Sequence, residues 1–361
     1  MAHTLALTQD PRRRNLLVLA VIAVAMVILA VLALFHQARE VAPHYTPHSF
    51  LPGLASEVRD VARVRLDSKS GTVDVVFKPD RGWIVASHGD YPASFEKVRE
   101  TLVGLAAMQT IEPKTARPDW LHFLDLTAPP KGDGIAITLQ DGHGRTVASV
   151  ITGKNEDIGD PSGATGLFVR RSNANQSWLV RSVFTPKTTQ TDWLDKQVVD
   201  VDASKIREAD VEPMNGPAYE LRRDKPGDSD LKLVNLPKGR EISYPGAADG
   251  IAGTISNFTF DDVKPSREFD FSDGHATRLI ARTFDGLIIT VQAIKQGQEF
   301  WATVSADAVP GKAGAQRQAR TIDSRASGWA YKLPPYKGQQ IMTTLDSLLK
   351  PLPEKSVAPA K

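Results

Sequence analysis

An ungapped internal repeat is the feature that most constrains the fold of this chain. The segment YPASFEKVRETLVGL, residues 91–105, aligns with YPGAADGIAGTISNF, residues 244–258, so that a Tyr, a Pro and a Thr coincide. The apolar positions coincide as well, with Val98, Leu102 and Leu105 opposite Ile251, Ile255 and Phe258. That spacing is typical of the buried stripe of an amphipathic helix. The repeat therefore predicts two copies of one structural unit, each with a helix at this position.

Strand-like sequence flanks both predicted helices. VARVRLD and TVDVVFK precede the first, AYELRR and LKLVNL precede the second, and an Asp-Gly-His turn with apolar alternation follows each. Asp-Gly between alternating apolar residues indicates a hairpin, which leaves His143 and His275 as exposed turn residues. In the first copy, Trp120, Phe123 and Leu126 are expected to pack a loop on the core. The alternation of Trp329, Tyr331 and Leu333 predicts a last strand, and a helix follows it. The predicted fold class is α+β: two antiparallel-sheet-plus-helix units and a C-terminal strand and helix.

An apolar run of twenty residues, from Leu16 to Phe35, predicts an N-terminal transmembrane helix. At about 1.5 Å per residue it would span about 30 Å, the hydrocarbon core of a bilayer. The preceding Arg12, Arg13 and Arg14 favour a cytoplasmic N-terminus, so the rest of the chain is expected to be periplasmic or otherwise extracytoplasmic. A cleaved secretory leader is the alternative, although its apolar region is usually shorter, about 7–15 residues.

Small residues recur along one face of this predicted span. They follow a three-four spacing that would allow a second helix to approach closely: Ala20, Ala23, Val27, Ala30 and Leu34. We take this face as a candidate contact with a partner helix, with a plain anchor as the alternative.

The predicted organisation has six parts. In chain order they are a basic cytoplasmic N-terminus (1–15), the transmembrane helix (16–35), a linker (36–56), the first α+β repeat (57–199), the second repeat with its C-terminal helix (200–351) and a disordered tail (352–361).

Charge and motifs argue against several classes of function. Residues 1–40 carry four arginines against Asp10 and Glu40, a surplus of two that equals the formal charge of +2 of the whole chain. The remainder is neutral and lacks the electrostatic footprint of a nucleic-acid binder. There is no cysteine, no HExxH, no Walker A loop and no GxSxG. His44 and His48 lie in a segment that contains Pro43 and Pro47, where no regular helix can place both on one face. The pairs Asp200–Asp202 and Asp261–Asp262 fit solvated surfaces better than acid–base catalysis. We predict no catalytic, cofactor-binding or metal-binding residues.

Several longer segments resemble a known family. WIVASHGDYPASFEKVRETLVGLAAM, the later GLFVRR, TDWLDKQVVDVDASKI and WAYKLPPY are similar to the domain-of-unknown-function family DUF4340. The positions that carry the resemblance, and that we expect to be structural, are Trp83, Tyr91, Pro92, Trp193, Asp195, Tyr244, Pro245 and Trp329. The resemblance implies a bacterial, membrane-anchored auxiliary protein beside ABC-type transport systems of the gliding-motility kind. It provides no catalytic residues to transfer.

The expected function is therefore a non-catalytic, membrane-anchored scaffold that binds a protein partner, such as an ABC-type permease, on the extracytoplasmic side of the inner or cytoplasmic membrane. An envelope enzyme or receptor acting on glycan or another small ligand is the alternative. A structural spacer is a third hypothesis.

Overall fold

Two antiparallel sheets with helices packed on them make up the fold. A computed structural model describes residues 11–40, 45–256 and 258–351 of the chain. Its helices are α1 (Pro11–Glu40), α2 (Leu54–Glu57), α3 (Phe95–Ala106), α4 (Ala247–Ser256), α5 (Ala313–Ala326), α6 (Pro335–Ile341) and α7 (Leu345–Leu348). Short 3-10 turns lie between these elements, among them Ala86–His88, Pro118–Leu124 and Gln190–Trp193.

The first sheet contains nine strands. They are β1 (Val61–Ser68), β2 (Gly71–Lys78), β3 (Gly82–Val85), β4 (Tyr91–Pro92), β5 (Gln109–Pro113), β6 (Ile135–Asp141), β7 (Thr146–Glu156), β8 (Thr165–Arg171) and β9 (Ser177–Ser182). Their order across the sheet is β4-β3-β2-β1-β6-β7-β8-β9-β5.

The second sheet contains eight strands. They are β10 (Ile206–Glu212), β11 (Tyr219–Arg222), β12 (Lys232–Leu233), β13 (Asp262–Pro265), β14 (Thr277–Thr283), β15 (Leu287–Gln296), β16 (Glu299–Ala308) and β17 (Trp329–Leu333). Their order is β12-β11-β10-β14-β15-β16-β17-β13.

The strand order shows that the units are two copies of one topology. If β10 is matched to β1, the order of the second sheet reproduces that of the first, strand by strand, except that no strand within the described ranges corresponds to β4. In each copy one helix, α3 or α4, joins one edge of the sheet to the strand at the opposite edge. The predicted α+β class with two antiparallel sheets is confirmed.

The helical stripe predicted from the repeat is buried in both copies. Val98, Leu102 and Leu105 are buried on α3, as are Ile251 and Ile255 on α4. Phe258, the last aligned position, is also buried but lies beyond the end of α4. The aligned Thr101 and Thr254 are buried as well, so the repeat records shared core positions.

Other expectations need correction. The first Asp-Gly turn does join a hairpin, between β6 and β7, but Asp273 and Gly274 precede β14 without a paired strand before them, because β13 pairs with β17 instead. Of the three residues expected to pack a loop on the core, Leu126 is buried, whereas Trp120 and Phe123 are exposed. The C-terminal helix is divided into α6 and α7.

Helix α5 was not predicted from the sequence. It lies between β16 and β17 and buries the stripe Ala315, Ala319, Ile322 and Ala326. Three of these four side chains are methyl groups, so the stripe has the helical period but only a weak hydrophobic signal in the sequence.

The first helix of the structure can be compared with the transmembrane span predicted at residues 16–35. Helix α1 includes those residues and extends to Glu40. None of the helices in the described ranges is both long enough and apolar enough to cross a membrane. The structure therefore does not support the transmembrane prediction. The predicted tail, 352–361, and residues 1–10 lie outside the described residues.

The buried stripe of α3 provides a direct test of the fold. Leu105 is fully buried, whereas Val103, two residues earlier, faces solvent. Leu105→Ala should lower the free energy of unfolding by about 2–5 kcal/mol, because it leaves a cavity in the core. Val103→Ala should change it by less than about 0.5 kcal/mol. Urea denaturation of both variants measures this difference, and equal effects would contradict the assigned orientation of α3.

Candidate functional site

The two units meet at a junction built around Tyr91. This side chain is buried on the edge strand β4, and its ring contacts Trp329 at 5.1 Å, Phe260 at 5.9 Å and Tyr331 at 6.3 Å between ring centroids. All three partners belong to the second unit. Their near-perpendicular arrangement with Tyr91 is a favoured geometry for aromatic rings. One hydrophobic core consequently continues from the first unit into the second.

The connection between the units completes this junction. Ser94 N–H donates to Trp193 O at 2.7 Å, and Asp195 N–H donates to Pro92 O at 2.9 Å, so the connecting chain runs along β4. The Tyr91 hydroxyl donates to Asp195 O at 3.2 Å. Lys196 then crosses to the second unit, where its ammonium donates to Phe260 O at 3.0 Å and lies over the Phe260 ring. Burial lowers the pKa of Lys196.

His88 makes a polar contact across the same junction. Its Nε2 lies 2.8 Å from Asp262 Oδ1 and 3.2 Å from Val263 O, and its Nδ1 lies 3.0 Å from Gln190 Oε1. The amide of Gln190 is oriented by its donation to Thr72 O at 2.8 Å, which places its oxygen toward His88. Both ring nitrogens thus face acceptors, and only the doubly protonated imidazolium can donate to both sides.

The pKa directions agree with that geometry. The hydrogen bond to Asp262 raises the pKa of His88 against the opposing effect of burial. For Asp262, burial raises the pKa, but the hydrogen bonds from His88 and from the Val263 N–H outweigh it and the pKa is lowered. Asp262, one of the two carboxylates at 261–262, thus bonds to His88 rather than facing only solvent.

A cluster of carboxylates on the second sheet also lacks the features of a site. Glu208, Asp210 and Glu220 bring their oxygens close together. Arg282 donates to both Glu208 and Asp210, and Arg222 pairs with Glu220. Arg207 also pairs with Glu208, so three arginines balance the three carboxylates and the simplest role of the cluster is an ion-pair network on the strands.

The outer side of α3 is the most distinctive surface of the first unit. We call it the α3 surface and define it by Phe77, Trp83, Phe95, Arg99, Val103 and Val183. Phe95 is 65 % exposed and Val103 is 55 % exposed, and with Arg99 they form one stripe at helical spacing. Two concavities flank the stripe, one of about 280 Å³ beside Phe77 and Trp83 and one of about 510 Å³ beside Val183 and Phe184.

The charges around the α3 surface are predominantly positive. Among the described residues that line the smaller concavity, Arg59 and Arg99 carry a charge and none is a carboxylate. Lys97, Arg99 and Lys187 line the larger one, where Glu100, the one carboxylate among the described lining residues, is paired with Lys97 at 2.9 Å. The surface therefore combines apolar side chains with a basic rim.

The second copy buries the helix positions that match Phe95 and Arg99, which are Ala248 and Ala252 of α4. The repeat alignment places Gly250 of α4 opposite Lys97 of α3, and α4 contacts α6, whose Gln340 lies beside Gly250. Helix α6 follows β17, the counterpart of β9. After β9 the chain is instead extended from Val183 to Lys187, and the larger concavity remains where the second copy has α6.

Comparison with known proteins identifies the family. The model described as "Domain of unknown function (DUF4340)" matches residues 83–273, more than half of the chain. The chain belongs to the DUF4340 family. No curated protein and no solved structure matches it.

The DUF4340 match includes most of the junction. It begins at Trp83 and contains His88, Tyr91, the connection at Trp193 and Asp262. The fold brings together part of the set of positions that carried the resemblance. Those that meet at the junction are Tyr91, Pro92, Asp195 and Trp329. Trp193 is buried beside the junction, and its indole N–H donates to Lys187 O at 2.9 Å. Trp83 lies apart on the α3 surface, and Tyr244 and Pro245 are exposed.

The structure describes most of the α1 face that the sequence predicts to contact a partner helix. Ala20, Ala23, Val27 and Ala30 are exposed on α1, and the side chain of Leu34 lies outside the described residues. His44 also lies outside them. His48 packs against the Trp178 ring and forms hydrogen bonds with the side chains of Tyr45 and Thr110, so its contacts stabilise the local fold.

The His88–Asp262 contact predicts a pH dependence of stability. Because the folded pKa of His88 is raised, its contribution is fully present below its unfolded pKa and is lost as pH rises through the folded value. His88→Gln should therefore destabilise the protein most at about pH 5.5, by on the order of 1 kcal/mol, and least at about pH 8.5. His143→Gln, at an exposed turn, is the matched control and should have no effect. A pH-independent cost of His88→Gln in urea denaturation would show that the imidazolium pair is absent.

Proposed function

We propose that this DUF4340 protein is a non-catalytic, membrane-tethered scaffold that binds a protein partner through the α3 surface, on the extracytoplasmic side of the membrane. The observation that carries the proposal is the difference between the two copies. The positions of α4 that match Phe95 and Arg99, which are Ala248 and Ala252, are buried in the second copy, whereas Phe95 and Arg99 are exposed in the first.

The kind of partner segment follows from the same comparison. In the second copy the short helix α6 packs beside α4, so a short amphipathic helix is a suitable partner segment for the exposed side of α3. Its apolar side should pack on Phe77, Trp83, Phe95 and Val103, as helices do in apolar grooves. The basic rim favours acidic residues at its edges, because complementary charge speeds association and sets the register.

The tether is supported by the sequence. The apolar run at 16–35 and the arginines before it have the pattern of a signal anchor, with the N-terminus cytoplasmic. The described side chains of α1 from Val18 to Val31 are all exposed, so the rest of the fold does not cover them. A helix that is apolar on every side requires a lipid or protein environment. Ala20, Ala23, Val27, Ala30 and Leu34 remain our candidate contact with a partner helix there.

The identity of the partner is part of the proposal. The association of the family with ABC-type transport makes a permease of the envelope the first candidate. The alternative, an enzyme or receptor for glycan or another small ligand, has less support. In the part of the chain that the structure describes, the concavities beside α3 have no pair of converging carboxylates, and Glu100, the one carboxylate found there, is neutralised by Lys97.

Site-specific photocrosslinking tests the docking surface. With p-benzoylphenylalanine at Phe95 in membranes of the native cell, we expect a crosslink to one protein, at an acidic amphipathic segment identified by mass spectrometry. The same crosslinker at Val309, which is exposed on the second unit, is the control. Crosslinks of equal yield at both positions, or none at Phe95, would contradict the proposal.

Two substitutions measure the affinity for the partner so identified. Phe95→Ser removes an exposed apolar side chain and should weaken binding about tenfold or more, since a buried Phe contributes about 1.5–3 kcal/mol. Arg99→Glu should also weaken binding, and the loss of affinity should be larger at low salt than at high salt. Val309→Ser should leave binding unchanged.

A further inference from the structure

A second exposed aromatic feature lies on the loop that follows β5. In the 3-10 turn Pro118–Leu124, Trp120 is 47 % exposed and Phe123 is 61 % exposed. The guanidinium of Arg117 lies 4.4 Å from the Trp120 ring centroid, so the ring is held in place from one side. The α3 surface does not include these residues.

The turn is rigidly supported beneath these two side chains. Leu121 and Leu126 are buried in a small core of their own with Ile151, Phe168 and Leu179. Leu126 N–H donates to Leu121 O at 2.9 Å, which closes the turn. A Cβ at Gly153 would lie 2.0 Å from Leu124 O, so the turn rests directly on β7 at a glycine. The fold thus holds two large apolar side chains in water on a fixed platform.

The chain enters the folded region beside this platform. Residues 45–49 run antiparallel to β5, with Ser49 opposite Gln109 and Thr110 N–H donating to His48 O at 2.9 Å. Tyr45 lies at the other end of β5, where its ring is 5.6 Å from that of Trp178, the strand partner of Pro113. From Pro113 the chain continues through Lys114 to Arg117 and into the turn.

The covalent chain limits how far this end can lie from α1. Five peptide units join Glu40, the last residue of α1, to Tyr45, and fully extended they span at most about 18 Å. If α1 is anchored in a membrane, the Tyr45 end of β5 must remain close to the bilayer surface, and the turn with Trp120 and Phe123 begins at Pro118, five residues beyond Pro113 at that end.

We propose that Trp120 and Phe123 insert into the interfacial region of the bilayer and hold the first unit against the membrane. Tryptophan favours this region because its ring is apolar and its N–H is polar. Arg117 is paired with Asp119 at 2.7 Å, so the turn has little net charge to attract anionic lipid. The contact is therefore apolar and should be insensitive to lipid charge. This inference rests on the membrane tether of the proposed function.

The absence of cysteine allows a clean test with the full-length chain. A single cysteine is introduced by Phe123→Cys, Tyr244→Cys or Ala23→Cys, and an environment-sensitive NBD dye is attached to it. Tyr244, 59 % exposed on the second unit, matches the exposure of Phe123. The labelled proteins are reconstituted in phosphatidylcholine vesicles, with and without nitroxide-bearing lipid, and in vesicles containing phosphatidylglycerol.

The inference predicts that nitroxide lipid quenches the dye at Phe123, to the same extent in both lipid mixtures, and does not quench the dye at Tyr244. A second label at Trp120→Cys should behave as at Phe123. Quenching at Ala23 without quenching at Phe123 and Trp120 would overturn this inference and leave the tether intact. No quenching at Ala23 would overturn the tether and the inference together. Quenching that requires phosphatidylglycerol would overturn the apolar contact.

Discussion

The burial of Tyr91 between the two units is the interaction on which the rest of the structure depends. A single edge strand, β4, places this ring among Phe260, Trp329 and Tyr331, and the connecting chain at Trp193 to Asp195 pairs along the same edge. An exposed sheet edge is a hazard for aggregation, and here both the connection and the second unit cover it. The strand missing from the second copy is thus the one that joins the copies. His88 adds a polar contact whose strength depends on protonation.

Duplication explains why a chain without catalytic motifs can still present a specific surface. The two copies share the core stripe of α3 and α4 and the order of eight strands. They differ in the segment after β9 or its counterpart β17, which is extended in the first unit and forms α6 in the second. Where the position of Phe95 is occupied by Ala248 in the second copy, that residue is buried. We infer that the copies diverged at their surfaces, so that one became self-contained and the other kept an unoccupied helix surface.

The sequence predicted the parts of this arrangement that depend on periodicity. The repeat located both helices and their buried stripes, and the fold class followed from hairpin-like groups of strands. Helix α5 escaped because its buried face consists mainly of alanine, which has the period without the hydropathy. Trp120 and Phe123 were expected inside because large aromatic residues usually lie there, and the fold leaves them outside.

The junction and the α3 surface could not be predicted in the same way. His88 and Asp262 are 174 residues apart in the chain, and no local pattern connects them. The exposure of Phe95 becomes informative only when the two folded copies are compared, because its counterpart Ala248 is buried. The Asp-Trp-Leu-Asp-Lys segment did provide a signal, since Trp193, Asp195 and Lys196 all act at the connection.

The central claim is that the two copies form one cooperative body through the Tyr91 junction. Hydrogen exchange of the full chain, followed by mass spectrometry, tests it most directly. We expect the most protected amides of β1, β6 and β7 to exchange with the same opening free energy as those of β14, β15 and β16, and we expect Tyr91→Ala to separate the two values. Different opening free energies for the two sheets in the unaltered protein would contradict the account.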